Sequence, residues 1–185
     1  MNFIKTEIPG IIIIEPKVFG DSRGFFMESF HKTRFAENGI NEEFVQDNVS
    51  RSSKGTLRGL HYQLNPFAQG KMVRVSLGEV YDVAVDIRKG SPTYGKYIGE
   101  ILSGENRKMM YVPAGFAHGF IVLSDVAEFT YKCTNFYAPQ SEKSILWNDA
   151  EIGIKWPVQP DLEKISAKDK AGLLLKNAEI NYTFK

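Results

Sequence analysis

From residue 71 to residue 135 the side chains alternate in character with a period of two, and this leaves few folds open. Val73, Val75 and Leu77 share one face of a strand, with Arg74 and Ser76 on the other. After a turn at Gly78-Glu79, Tyr81, Val83, Val85 and Ile87 repeat the pattern as the apolar face, against Asp82 and Asp86. Residues 97–102, 109–112, 120–123 and 128–135 continue it at hairpin spacing. Upstream, the β-branched run Ile11-Ile12-Ile13-Ile14 and the pair Val18-Phe19 read as strands, and Asp21-Ser22-Arg23-Gly24 as a turn before a strand over 25–30. Short strands with a turn roughly every 8–12 residues predict an all-β chain whose sheet closes on itself or doubles. Two helical pieces interrupt it: a short helix over 32–38, stopped by Gly39, and a C-terminal helix capped by Ser166-Ala167-Lys168-Asp169 and running on through 171–175. Neither a repeat nor a linker divides the chain, so residues 1–185 are expected to form a single domain.

Composition removes several function classes. A formal net charge of +1, without a basic cluster, gives nucleic acid no electrostatic footing. The longest strongly apolar run, residues 11–14, is too short to span a bilayer, and the start lacks the regions of a signal peptide. A single cysteine, Cys133, excludes an intrachain disulfide and fits a reducing compartment. A cytoplasmic protein without nucleic-acid or membrane partners is expected.

Strand parity then ranks the polar residues. Lys71 lies in phase with Val73 and Val75, Tyr131 with Phe129 and Cys133, and His118 with Phe120 and Val122, so all three should face an apolar interior. His61 and Arg58 have opposite parity, and one cavity can receive both only if the strand is irregular. Gly59 between them predicts a kink. Each residue also has a purely structural reading. His118 could be a hydrogen-bonded core histidine, Lys71 a snorkelling strand end, Tyr131 a core aromatic, Asp169 a helix cap, Arg58 a surface ion pair and His31 a solvated side chain.

The ordered motifs decide between these readings. Pro113-Ala114-Gly115-Phe116-Ala117-His118 resembles the second motif of cupins, which are small jelly-roll barrels. Leu57-Arg58-Gly59-Leu60-His61-Tyr62-Gln63, Gly20-Asp21-Ser22-Arg23-Gly24-Phe25-Phe26-Met27-Glu28, Phe44-Val45-Gln46-Asp47-Asn48-Val49-Ser50, Lys71-Met72-Val73-Arg74-Val75, Tyr131-Lys132-Cys133-Thr134 and Ser166-Ala167-Lys168-Asp169 narrow the likeness. Together they resemble the dTDP-4-dehydrorhamnose 3,5-epimerase family over nearly the whole length.

The resemblance implies a cupin-like jelly-roll barrel and a cofactor-free, metal-free inversion at C3 and C5 of a dTDP-linked 4-keto-6-deoxyhexose. Both carbons flank the C4 ketone, so loss of either proton gives an enolate with its charge on O4. By the same resemblance His61 is the base, Asp169 its orienting carboxylate, Lys71 the cation beside the enolate oxygen, and Tyr131 the acid on the opposite face. Base catalysis of this kind is worth about 10²–10⁴-fold. His118 is a supporting contact near the sugar, and Asp82 at most an orienting partner. Arg23 and Arg58 match diphosphate contacts, and Tyr137 the aromatic that stacks on thymine. Phe19, Phe26, Glu28, Gln46, Asp47, Asn48, Glu142 and Lys168 complete the implied substrate pocket. A homodimer with exchanged N-terminal strands is also implied, so some of these residues would serve the partner's site.

Three other readings remain. A metal-dependent cupin would need His-x-His and a carboxylate, whereas Gly59 and Gln63 flank His61 at that spacing. A non-catalytic sugar-nucleotide-binding barrel, and a relative that inverts one carbon or moves the keto group, are the others.

Overall fold

The structure, a computed structural model, describes residues 1–184. In chain order its elements are β1 (Asn2–Lys5), β2 (Ile12–Glu15), β3 (Val18–Asp21), β4 (Gly24–Met27), α1 (Lys32–Glu37), β5 (Gln46–Ser53) and β6 (Leu57–Gln63). They continue with β7 (Lys71–Leu77), β8 (Glu79–Asp86), β9 (Tyr97–Ser103), β10 (Met109–Val112), β11 (Phe116–Val122), β12 (Val126–Cys133), β13 (Glu142–Ser144) and α2 (Ala167–Lys170). Strands ordered β1-β2-β10-β7-β12-β5 form one sheet and β13-β6-β11-β8-β9 a second, while β3 and β4 pair only with each other. Pairing throughout these sheets is antiparallel. The two large sheets face each other and merge Ile13, Val73, Val75 and Phe129 of one with Val80, Ala84, Phe120 and Val122 of the other. This is the all-β, cupin-like jelly-roll barrel that the strand pattern and motifs predict.

On β8 the predicted inner face is reversed. Val80, Asp82 and Ala84 look into the barrel, and Val83, Val85 and Ile87 look outward. The outward set is buried all the same, because Ile145, Ile152, Leu175, Ile180 and Tyr182 of the C-terminal segment cover it. With both faces of a strand covered, apolar alternation no longer identifies the inside. The same double burial explains the isoleucine run. Ile13 joins the barrel core, while Ile12 and Ile14 pack with Phe35, Ile40, Met72 and Tyr111 on the outer side.

α1 matches its prediction within a residue and ends before Gly39, at φ +91°. His31 is more than a solvated side chain: its ring nitrogen accepts from the Arg34 N–H at 3.4 Å and caps that helix. The C-terminal helix is shorter than expected. α2 is one turn, and the chain after it does not stay helical, because Leu173 bridges to Ile145 and the Leu175 N–H donates to Asp149 Oδ2 at 2.6 Å. Among the described residues no helix is long and apolar enough to cross a membrane.

Candidate active site

The barrel opens at one end into a cavity of about 420 Å³, and a local irregularity in β6 delivers its first two polar residues. On β11 His118 faces His61 and Phe120 faces Arg58, so two steps along β11 match three along β6. The extra residue is the kink expected at Gly59. It lets Arg58 and His61 both line the cavity while Leu57 and Leu60 turn to the outer clusters. Gly59 sits at φ +128°, and a Cβ there would lie 2.5 Å from the Gly119 Cα. The bulge therefore requires glycine.

His61 is held by α2. Its Nε2 lies 2.5 Å from Asp169 Oδ1, while Asp169 Oδ2 accepts from the Ser166 hydroxyl at 2.8 Å. The capping pattern read from the sequence is thus real, and the same carboxylate also serves the histidine. Burial opposes ionisation of Asp169, but bonds from His61, Ser166 and the Gly59 N–H outweigh it and hold the carboxyl below its usual range. Burial is also the largest influence on His61 and lowers its pKa despite Asp169. The resting state is then a neutral imidazole beside a carboxylate. With the proton on Nε2 facing Asp169, Nδ1 keeps a free lone pair.

A second histidine–aspartate pair lies deeper. His118 Nε2 is 3.0 Å from both Asp82 carboxylate oxygens. Asp82 is fully buried, and burial pushes its pKa up against the opposing pull of His118 and Lys71. Asp82 shares its face with Val80 and Ala84, whereas the apolar alternation of Val83, Val85 and Ile87 predicts the opposite face as the inner one, so the alternation gives no sign of this second pair.

Lys71 and Tyr131 come from the facing sheet, on the paired strands β7 and β12. The Lys71 Nζ is 5.9 Å from the centre of the Tyr131 ring. Burial lowers the Lys71 pKa. Burial also raises that of Tyr131, so its hydroxyl keeps its proton at neutral pH. The cavity floor is apolar, built on the stacked rings of Phe120 and Phe129, whose centroids are 4.1 Å apart.

Toward the mouth lie Gln46, Asn48, Arg58, Tyr137, Glu142 and Lys168. Gln46 Oε1 accepts from the Tyr137 N–H at 2.9 Å, and Gln63 Oε1 accepts from the Ala138 N–H at 2.9 Å. The loop carrying Tyr137 is therefore pinned on both sides of the ring.

Five residues assigned to the pocket lie elsewhere. Asp47 alternates with Gln46 and Asn48, so it leaves on the opposite face of β5 and pairs with Lys132 at 2.9 Å. Phe19 and Phe26 are exposed on the β3–β4 hairpin, which joins neither large sheet. Arg23 at its turn donates to Asp21, and Glu28 just beyond it pairs with Arg34 at 2.7 Å. None of these five lines the cavity of its own chain. Among the described residues no three His, Cys, Asp or Glu side chains converge to hold a metal ion.

Comparison with known proteins places this geometry. The model of the dTDP-4-dehydrorhamnose 3,5-epimerase family matches residues 5–177. The dTDP-4-dehydrorhamnose 3,5-epimerase of Shigella flexneri is 61% identical over 97% of this chain and 98% of its own. That of Salmonella typhimurium is 58% identical over 96% and 97%. Among solved structures, dTDP-6-deoxy-D-glucose-3,5-epimerase from Legionella pneumophila Philadelphia 1, in complex with dTDP-4-keto-L-rhamnose, superposes with a TM-score of 0.92 at 55% identity. That match covers 96% of this chain and 94% of that one.

Proposed function

The chain belongs to the dTDP-4-dehydrorhamnose 3,5-epimerase family, isomerases acting on sugar nucleotides, and from that premise we propose how its residues carry the reaction. One observation carries the reading: the cavity is two-sided. His61, backed by Asp169 of α2, stands on the sheet of β6 and β11, and Lys71 with Tyr131 stands on the facing sheet. A single base returning its own proton would restore the starting configuration, so inversion needs a donor on the far side.

The neutral His61 takes the proton from C5 or C3 of the 4-keto sugar, and the electrons left behind move onto O4. Asp169 stabilises the imidazolium that forms. The Lys71 ammonium faces the enolate oxygen, a contribution of roughly 3–4 kcal/mol by analogy with an oxyanion-hole donor. Tyr131, kept protonated by its burial, delivers a proton to the opposite face of the carbon. No step here calls on a cofactor. Arg58 and Lys168 at the mouth hold the diphosphate, and Tyr137 gives the thymine a flat face.

The β3–β4 hairpin completes the proposal. Its exposed Phe19 and Phe26, with Arg23 and Glu28, do not reach their own cavity, which fits a homodimer in which each hairpin closes the partner's site. Residues 1–185 would then act as one catalytic domain per protomer. The buried free thiol of Cys133 fits a cytoplasmic location.

The test is to incubate the dTDP-4-keto-6-deoxy sugar with the protein in D₂O and follow C3 and C5 by NMR. Deuterium at both carbons, absent with His61→Ala, is the expected result. Deuterium at only one carbon would make the protein a mono-epimerase, and none at either would overturn the reading.

A further inference from the structure

The β3–β4 hairpin joins neither large sheet, so side-chain contacts must set its orientation. Just beyond its base Glu28 pairs with Arg34 of α1 at 2.7 Å. Near its tip the guanidinium of Arg107 lies 4.2 Å from the centre of the Phe25 ring, a cation–π contact. Phe25 joins none of the buried apolar clusters, so this stack is its hold on the barrel.

Arg107 belongs to the turn between β9 and β10, and that turn is stiff. Asn106 Oδ1 accepts from the Ser103 and Lys108 N–H groups, both at 3.0 Å. Its Nδ2 donates to the Ile101 carbonyl at 2.8 Å. Arg107 sits at φ +54°, the one non-glycine residue with a positive φ among the described residues. Its Nη1 donates to the Glu105 carbonyl at 2.8 Å, while its buried Nε has no hydrogen-bond partner. A left-handed backbone is kept by an arginine here only because its surroundings hold it.

Register decides what the stack does. Gly20 lies opposite Phe25, and Phe19 opposite Phe26. Successive side chains leave a strand on opposite faces. Phe25 thus points to its own barrel, with no side chain on Gly20 beside it, while Phe19 and Phe26 point away. We propose that Arg107 is a positioning residue: by stacking on Phe25 it fixes the hairpin so that Phe26 and Arg23 meet the sugar nucleotide in the partner's cavity. Arg107 lies outside the residues that line the cavity of its own chain, and its effect falls on the other protomer's site. This rests on the reading of the hairpin as closing the partner's site. Without the stack the hairpin is tethered at its base and free at its tip, and ordering it on each binding event weakens binding.

Arg107→Asn is the first test, because asparagine tolerates the left-handed turn while removing the stack. KM for the dTDP-4-keto sugar should rise about three- to tenfold with kcat little changed, as for a contact that holds ground and transition states alike. Arg107→Lys keeps the charge without the planar face and should fall in between. Mixed dimers, purified with two tags, then assign the effect to a site. An Arg107→Asn chain paired with a His61→Ala chain has one live site, closed by the intact hairpin of the His61→Ala chain. Its KM should return to the wild-type value. Wild type paired with a chain carrying both substitutions has one live site closed by the loosened hairpin, and its KM should stay raised. The reverse pattern, a loss of kcat alone, or a lowered Tm with KM intact would overturn the proposal. If Arg107→Asn fails to fold, Phe25→Leu removes the other half of the stack and is read in the same dimers. Arg23→Ala is the control: if its effect does not cross to the partner either, the exchanged-hairpin reading has failed and the proposal falls with it.

Discussion

Two histidine–aspartate pairs stand side by side in this barrel, and the comparison between them separates chemistry from framework. His61 and His118 are direct neighbours across β6 and β11. His61 is partly open at the mouth, and its carboxylate is brought in by a single helical turn from the far end of the sequence. His118 is buried against a fully buried Asp82 on the adjacent strand β8. One pair can meet a substrate and exchange a proton with it. The other is locked among barrel strands, between the apolar floor and Lys71. A histidine's role here follows from where its carboxylate comes from and how far the pair is open, which neither histidine motif states.

The largest effect that can test this contrast is loss of the base. His61→Ala should reduce exchange at C3 and C5 by about 10²–10⁴-fold while dTDP still binds. His118→Ala should cost clearly less, measured in the same exchange assay. Equal losses would erase the distinction between the pairs. Next in size, Lys71→Met should lower kcat by about 10²–10³-fold with only a modest change in KM, because the ammonium is needed most once charge develops on O4. A rise in KM with kcat intact would make Lys71 a binding group instead.

A smaller and opposite effect concerns stability. Asp82→Ala strands the buried His118 nitrogen, which costs about 1–3 kcal/mol, and at this chain length about 2–4 °C in Tm per kcal/mol. Asp169→Ala removes a carboxylate that is also buried but is carried by a one-turn helix and serves the partly open His61, and it should lower Tm less and activity more. Thermal melts of the two variants beside their exchange rates decide it. If Asp169→Ala proves the more destabilising, the deep pair is not the framework pair.

The sequence made one member of each pair legible. Period-two alternation located His118, Lys71 and Tyr131 on inner faces, and Gly59 between two wanted residues of opposite parity announced the bulge. Asp82 was harder to read because β8 is covered on both sides, so its outward face is as apolar as the inner face that Asp82 shares with Val80 and Ala84. The residue pattern alone reads Asp169 as a cap, and only the family resemblance ties it to His61, since its approach to that residue spans 108 residues of sequence and depends on how the C-terminal segment wraps. The β3–β4 hairpin shows the opposite limit. Its motif residues are plain in the sequence, yet this chain gives them no cavity to line.

The finest comparison is in pH. Burial holds the His61 pKa below the ordinary imidazole value, about 6.5. The base works only when neutral, so kcat/KM should stay on its plateau as pH falls and decline only below that value. Asp169 pushes the pKa up, so Asp169→Asn should move the acid limb lower still, while also lowering the plateau. His118→Gln should leave the midpoint in place. Stability follows the same sign. The unfolded chain takes up its proton first as pH drops through about 6.5, so the contribution of neutral His61 is present above that pH and lost as pH falls toward the lower, folded value. A wild-type midpoint above the ordinary imidazole value, or one that follows His118 instead of Asp169, would transfer the base from the open pair to the buried one.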